Sequence, residues 1–223
     1  MAAFLGATNG SFENGTYSGG ALNTLNAGSP NLSGWIITSG SVDWTGSYWP
    51  AKDGTKSLDL SGTGAGAISQ TLATTIGKTY VVTFAMSGNP DGGPALKTLT
   101  VGATGAATTP FTFDTAVAGN TLADMKWATK TYTFVATAST TVLTFTSTTA
   151  SAWGPAIDAV VATESATGGS GGSGGSGAAG GPGAKCKNGG WRTVVDNHGH
   201  HFKNQGDCVS WFATKGKNQG SGG

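Results

Sequence analysis

Short runs in which every second residue is apolar recur along the first part of the chain. Tyr80, Val82, Phe84 and Met86 alternate within KTYVVTFAM, and Tyr132 and Phe134 alternate within KTYTFVAT. Leu143 and Phe145 repeat the pattern in TTVLTFTST, as do Leu58 and Leu60 in KSLDLSG. A period of two places one set of side chains on one face of an extended strand. The runs are rich in Thr and Val, and turn residues bound them, as in GNPDGGP from Gly88 to Pro94. Further strands are predicted at Trp35–Thr38, Ile68–Thr74, Leu99–Val101, Phe111–Phe113 and Ile157–Val161. No segment carries a sustained 3.6-residue apolar stripe, so helices are not expected. About ten short strands predict an all-β sandwich over residues 8–163, a length that buries roughly 70% of its surface.

The pattern then stops. Thr167 to Ala184 reads TGGSGGSGGSGAAGGPGA, with no large apolar side chain to bury. Residues 164–184 are predicted to be a linker whose ends, as a random coil, lie roughly 25 Å apart. Beyond it, residues 185–218 regain Trp, Phe and Val and form a small third segment. Six Lys/Arg stand against nine Asp/Glu up to Glu164, and six against two from Lys185 onward. The overall charge of +1 thus hides an acidic body and a basic tail. Such a tail could favour an anionic surface, or its lysines could only keep a small module soluble. No basic cluster is dense enough for a phosphate stripe, which argues against nucleic acid. No apolar run approaches the ~20 residues of a membrane-spanning helix.

Six blocks in the body occur in a telling order: NGSFENG from Asn9, GWIITSGSVDW from Gly34, DGTKSLDLSG from Asp53, GAISQTL from Gly66, TYVVTFAMSGNPDGGPALKTL from Thr79, and GPAIDAV from Gly154. In this order they resemble the choice-of-anchor C family, bacterial surface and secreted proteins related to plant cell-wall proteins of domain of unknown function 642. The resemblance spans nearly the whole sandwich. It implies a galactose-binding-like jelly roll, non-catalytic, extracellular and associated with polysaccharide. In related carbohydrate-binding jelly rolls the opening glutamate and the closing-strand aspartate often share one structural calcium. The matching residues are Glu13 and Asp158. A hard cation would relieve the repulsion between two such carboxylates, with backbone carbonyls from the Asp53–Ser57 turn completing its shell. Alternatively, Glu13 caps a turn and Asp158 binds backbone.

Candidate sugar contacts come from the aromatics. Trp44, Tyr48 and Trp49 lie in DWTGSYWP, which its Gly, Ser and Pro mark as loop-like. Flat rings stack on pyranose faces, and Asp43, Lys52 and Asp53 could bind hydroxyls beside them. Asn89 and Asp91 in GNPDGGP could line a rim, or simply form a plain turn. Against this, Trp44 and Trp49 could simply fill the ends of the core, as large aromatics do. An enzyme is the rival class. All three histidines, His198, His200 and His201, crowd into the tail, which leaves no triad for the sandwich. A carboxylate pair drawn from Asp43, Asp59, Asp91, Asp114 and Asp124 remains arithmetically open for glycoside hydrolysis, but no spacing singles one out.

The tail carries both cysteines. Its CKNGGW, FKNQGDCV and GKN resemble a short C-terminal motif of secreted actinobacterial proteins. A module of this size needs a staple, and Cys186 with Cys208 is the expected disulfide. A two-Cys two-His zinc site lacks the close second cysteine, and Asp196 with HGHH reads as a solvated loop. A disulfide implies an extracellular or cell-surface protein. MAAFLGATNG, however, has no basic start and too short an apolar stretch for a secretion signal. The expectation is a monomeric, non-catalytic, cell-wall glycan-binding sandwich. Its alternative from another class is an adhesive surface protein making protein contacts.

Overall fold

The alternating runs become strands, as a computed structural model of the chain shows for residues 6–165, together with 202 and 208. The chain divides into two units, Met1–Gly169 and Ser170–Gly223, with the boundary inside the Gly/Ser stretch. Of the second unit the structure describes Phe202 and Cys208, both buried. Cys186, Asp196 and the three histidines lie outside the described residues, and the expected disulfide and tail fold lie there with them.

The first unit is a sandwich of two antiparallel sheets. One has six strands: β1 (Leu22–Asn26), β3 (Ser41–Thr45), β4 (Ser57–Asp59), β11 (Pro155–Glu164), β6 (Thr79–Gly88) and β9 (Ala128–Val135), in that spatial order. The other runs β2 (Ile36–Ser39), β5 (Ala67–Ala73), β10 (Thr140–Ser147), β7 (Leu96–Ala103) and β8 (Thr109–Asp114). Successive strands mostly change sheet, so each apolar face meets one from a distant part of the chain. Tyr80, Val82, Phe84 and Met86 of β6 pack with Leu143 and Phe145 of β10, Leu99 and Val101 of β7, and Ile157 of β11. Each such side chain contributes on the order of 1.5–3 kcal/mol by leaving water.

Two strands were not foreseen, β1 and β3. Asp43 and Trp44 therefore lie in a strand, because Val42 and Trp44 alternate inward while Leu25 pairs opposite Val42. The loop begins only at Gly46. The one short helix described, α1 (Thr115–Ala118), has no apolar stripe to betray it. Asp114 caps it by accepting from the backbone N–H of Ala116 and Val117, and Gly119 closes it in the left-handed region.

The entering segment is stitched to the end of the chain. A bulge between Asp158 and Val161 lets Ile157 and Val160, three residues apart, both enter the core. Val160 N–H then bonds to the Gly10 carbonyl. Asp158 is turned the other way, toward the turn that precedes β4.

Candidate functional site

On the outer face of the six-stranded sheet, three loops gather at one end. Side chains there alternate with core residues: Asp43 flanks Trp44, Asp59 flanks Leu58, and Ala156 and Ser87 flank Ile157 and Met86. Register pairs Asp43 with Asp59, Asp59 with Ala156, and Ala156 with Ser87, which forms a single row across four strands. Over this row fold residues 46–50, 88–94 and 151–154. A second apolar cluster of Trp49, Met125 and Ala156, with Tyr48, Leu122 and Trp127 against it, seals the row from outside.

Asp59 is fully buried and ties two of the loops together. It accepts from the Asn89 side-chain amide at 2.9 Å and from the N–H groups of Ser61 at 2.9 Å and Gly154 at 3.1 Å. Gly154 must be glycine, since a Cβ there would lie 2.5 Å from the Asp59 carboxylate. Asn89 in turn accepts from Asp91 N–H, and the Tyr48 hydroxyl donates to the Asp91 carboxylate. Lys97, likewise buried, donates to the carbonyls of Gly92 at 2.6 Å and Trp153 at 2.8 Å. The indole of Trp153 sits directly on Gly92, where a Cβ would come within 2.2 Å of the ring. Trp153 is nonetheless 43% exposed, more than any other described tryptophan.

The charges tune one another. Burial pushes the Asp59 carboxyl up to about 7, against its hydrogen bonds, and Asp43 opposite adds to the rise. Burial also raises Asp43, although Thr24 donates to it at 2.5 Å. The bond to Asp91 leads in pushing the Tyr48 hydroxyl up to about 12, followed by burial and by the charges of Asp91, Asp59 and Asp43. Burial lowers the Lys97 ammonium while the Asp59 charge acts in the opposite sense.

Four of the sequence-derived sugar contacts do come together here: Tyr48, Asp91, Asn89 and Asp43. Their roles differ. Asp91 is exposed and Tyr48 half-buried, but Asn89 is buried and spends its amide on Asp59 and Asp91, so it is scaffold rather than rim. The structure corrects two other assignments. Trp44 and Trp49 are buried and present no ring face to solvent. Trp44 fills the core and donates to the Phe12 carbonyl at 2.8 Å, while Trp49 donates to Ser57 at 2.8 Å on the outer face. Trp153 and Lys97 were missed. Lys97 left a signal, since it stands on β7 in phase with the core residues Leu99 and Val101. Trp153 left little beyond a lone aromatic among Ser, Ala and Gly.

Glu13 and Asp158 both accept hydrogen bonds from the turn at residues 52–56. Glu13 Oε1 accepts from the N–H groups of Thr55 and Lys56, both at 2.6 Å. Its Oε2 accepts from the Thr55 hydroxyl at 2.8 Å and the Lys56 ammonium at 3.3 Å. Asp158 Oδ2 accepts from Lys52 N–H at 2.7 Å and Asp53 N–H at 2.9 Å, and Oδ1 from Ala159 N–H at 2.6 Å. Burial works to raise the Glu13 carboxyl, but the bonds from Thr55 and Lys56 outweigh it and hold it below its ordinary value. Burial pushes Asp158 up to about 7 despite its three bonds.

A calcium ion takes six to eight oxygen ligands. This turn instead presents N–H groups to both carboxylates and an ammonium to Glu13, and all four acceptor positions of Glu13 are used. The donor set in this arrangement does not fit an ion between them, and no chemistry is derived through one. Among the described residues no group of three or more His, Cys, Asp or Glu is placed to hold a metal. Chelator should accordingly leave the melting temperature unchanged. Asp158→Ala should lower stability by roughly 1–2 kcal/mol, because it removes the acceptor of three backbone N–H groups, those of Lys52, Asp53 and Ala159. Calorimetry with and without chelator checks both, and a chelator-induced drop would mean that an ion shares the clamp.

The chain is 37% identical over 169 residues to halomucin of Haloquadratum walsbyi, a match that covers 70% of this chain and 2% of halomucin. The chain thus spans a very small part of that relative. Among solved structures it is similar to a family 16 carbohydrate-binding module, with a TM-score of 0.44 and 19% identity over 71% of this chain and 99% of that one. A family 35 carbohydrate-binding module from Paenibacillus barcinonensis gives a TM-score of 0.41 and 19% identity over 65% and 99% of the two chains. Among the described residues no helix is long and apolar enough to cross a membrane. The body of the chain, over residues 7–163, matches one family throughout, and the chain belongs to it: the proteins of unknown function described as DUF642.

Proposed function

We propose that the sandwich is a non-catalytic carbohydrate-binding domain of an extracellular or cell-surface protein, and that it holds glycan on the surface formed by Trp153, Asp91 and Tyr48. The observation that carries this reading is the seat of Trp153. Trp153 is 43% exposed on a loop, which leaves part of its ring open to a ligand. Here the ring is fixed on Gly92 and braced by a buried lysine, so it is a pre-organised platform for stacking on a pyranose. The exposed Asp91 carboxylate beside it accepts hydroxyl donors, and Tyr48 fixes its direction.

Each carboxylate that could have served hydrolysis has another task, which supports the non-catalytic reading. Asp59 is enclosed, Asp43 is bonded to Thr24, and Asp91 to Tyr48. Asp114 caps α1, and Asp124 pairs with Lys126 at 2.5 Å. Surface placement rests on the disulfide expected between Cys186 and Cys208, which would persist only outside the cytosol.

The test is retention on insoluble cell-wall polysaccharides by the whole chain and by Trp153→Ala. The variant should lose about tenfold or more in retention, the scale of a single aromatic anchor, with its melting temperature unchanged. Equal retention by both chains would move the site elsewhere. Retention by neither would favour the adhesive reading based on protein contacts.

A further inference from the structure

An open pocket of about 380 Å³ is lined by Tyr48, whose hydroxyl donates to Asp91, while neither Asp91 nor Trp153 lines it. It is formed by residues 46–51 together with Gly54, Thr55 and Leu122. Its size falls at the lower end of the ~300–1,000 Å³ of small-molecule sites. The apolar part is made by Tyr48, Pro50, Leu122 and the edge of Trp49, while Ser47 and Thr55 supply hydroxyls. No charged side chain lines it. Apolar rings facing a hydroxyl rim complement a sugar, whose C–H faces are apolar and whose edges are hydroxyls.

The pocket is built rather than incidental. Its Thr55 wall is held by the Glu13 carboxylate through both the backbone N–H and the hydroxyl. Pro50 is fixed by its carbonyl, which accepts from the Trp127 indole at 3.1 Å. Trp49 is pinned to Ser57. Tyr48 is the shared wall: its ring lines the pocket and its hydroxyl reaches Asp91, the residue before the glycine on which Trp153 rests. The two surfaces are thus continuous across one side chain.

We infer that this pocket is a second, uncharged sugar subsite, so that the domain recognises internal stretches of an extended neutral glycan chain rather than a single terminal sugar. The inference rests on the reading of the Trp153 surface as the first subsite. A chain running along this continuous surface would stack on Trp153 and place a neighbouring unit against Tyr48, Pro50 and Leu122. Affinity then grows with chain length until both surfaces are filled.

Calorimetric titration of the whole chain with cello-, xylo-, manno- and galacto-oligosaccharides of one to six units tests it. In the series that binds, the longest members should bind at least about tenfold more tightly than the monosaccharide. Ser47→Arg, at an exposed position, places a long side chain in the pocket, and Leu122→Ser strips its apolar wall. Either should bring the hexasaccharide's affinity down to that of the monosaccharide, with the melting temperature of Ser47→Arg unchanged. Equal affinity for one and six units, or a length dependence untouched by Ser47→Arg, overturns the second subsite while the Trp153 reading stands. Binding in none of the four series removes that reading and this inference with it.

Discussion

Trp44→Ala should destabilise the sandwich by about 3–5 kcal/mol, the range for emptying a buried aromatic site. Trp44 has no exposed surface, stands edge-on to Tyr17 at 5.0 Å and bonds to the Phe12 carbonyl. It therefore holds residues 12–17 against β3 as well as filling the core. The opening segment carries Glu13, so losing Trp44 also loosens the clamp on the Thr55 turn. A domain of this size has about 5–15 kcal/mol in all, and the loss should lower its melting temperature by about 6–20 °C. Trp153→Ala should leave it nearly unchanged, because half-exposed indole on a loop contributes little core. Urea unfolding of the two variants separates a core tryptophan from a ligand platform. Equal midpoints would show that Trp44 does not bear the packing load assigned to it.

That contrast marks what the sequence could and could not disclose. Strands with long alternating faces were legible because a single period sorts their residues: β6, β9 and β10 hold their predicted apolar residues inward. β4, with only three residues, was still foreseen from Leu58 and Leu60, but β1 and β3 were not: the two leucines of β1, Leu22 and Leu25, fall on opposite parities, and β3 was masked by the glycine and proline that follow it. The site was legible in chemistry but not in exposure. DWTGSYWP and GNPDGGP were recognised as its loops, and their contact through Tyr48 and Asp91 exists. Which tryptophan faces solvent depends on how many residues precede the turn. Trp44 falls on the inward parity of β3, while Trp153 falls on no strand at all. The meeting of the domain's two ends was legible too: Val160 N–H bonds to the Gly10 carbonyl, and Glu13 and Asp158 each bind the turn at residues 52–56. That the turn answers them with N–H groups rather than carbonyls is a matter of backbone orientation, which leaves no residue-type signature.

Raising the pH from 5 to 8 should destabilise the domain, and Asp59 should carry a large share of the loss. Its carboxyl is held at about 7 in the folded chain, against an ordinary value near 3.8. An acid whose folded pKa is raised binds a proton more tightly when folded. Its contribution is therefore fully present below about 3.8, fades as pH climbs, and is gone above about 7. A three-unit displacement corresponds to roughly 4 kcal/mol in all at 1.36 kcal/mol per unit, of which roughly 3 kcal/mol falls between pH 5 and 7. The groups around Asp59 act in both directions: Asp43 on β3 raises its pKa, while Asn89, Ser61 and Gly154 donate to it and favour the anion. Lys97 on β7 feels the same charge. Asp158, also pushed to about 7, adds a fall of the same sign, so the wild-type profile sums at least two groups. Asp59→Asn removes one of them. The variant loses some stability at pH 5, because its amide cannot accept at both positions, but its decline from pH 5 to 8 should be about half as steep. Urea titrations of both proteins across that range measure the slope directly. An unchanged slope in Asp59→Asn would show that Asp59 is ionised throughout and that its N–H donors, rather than burial, set its charge.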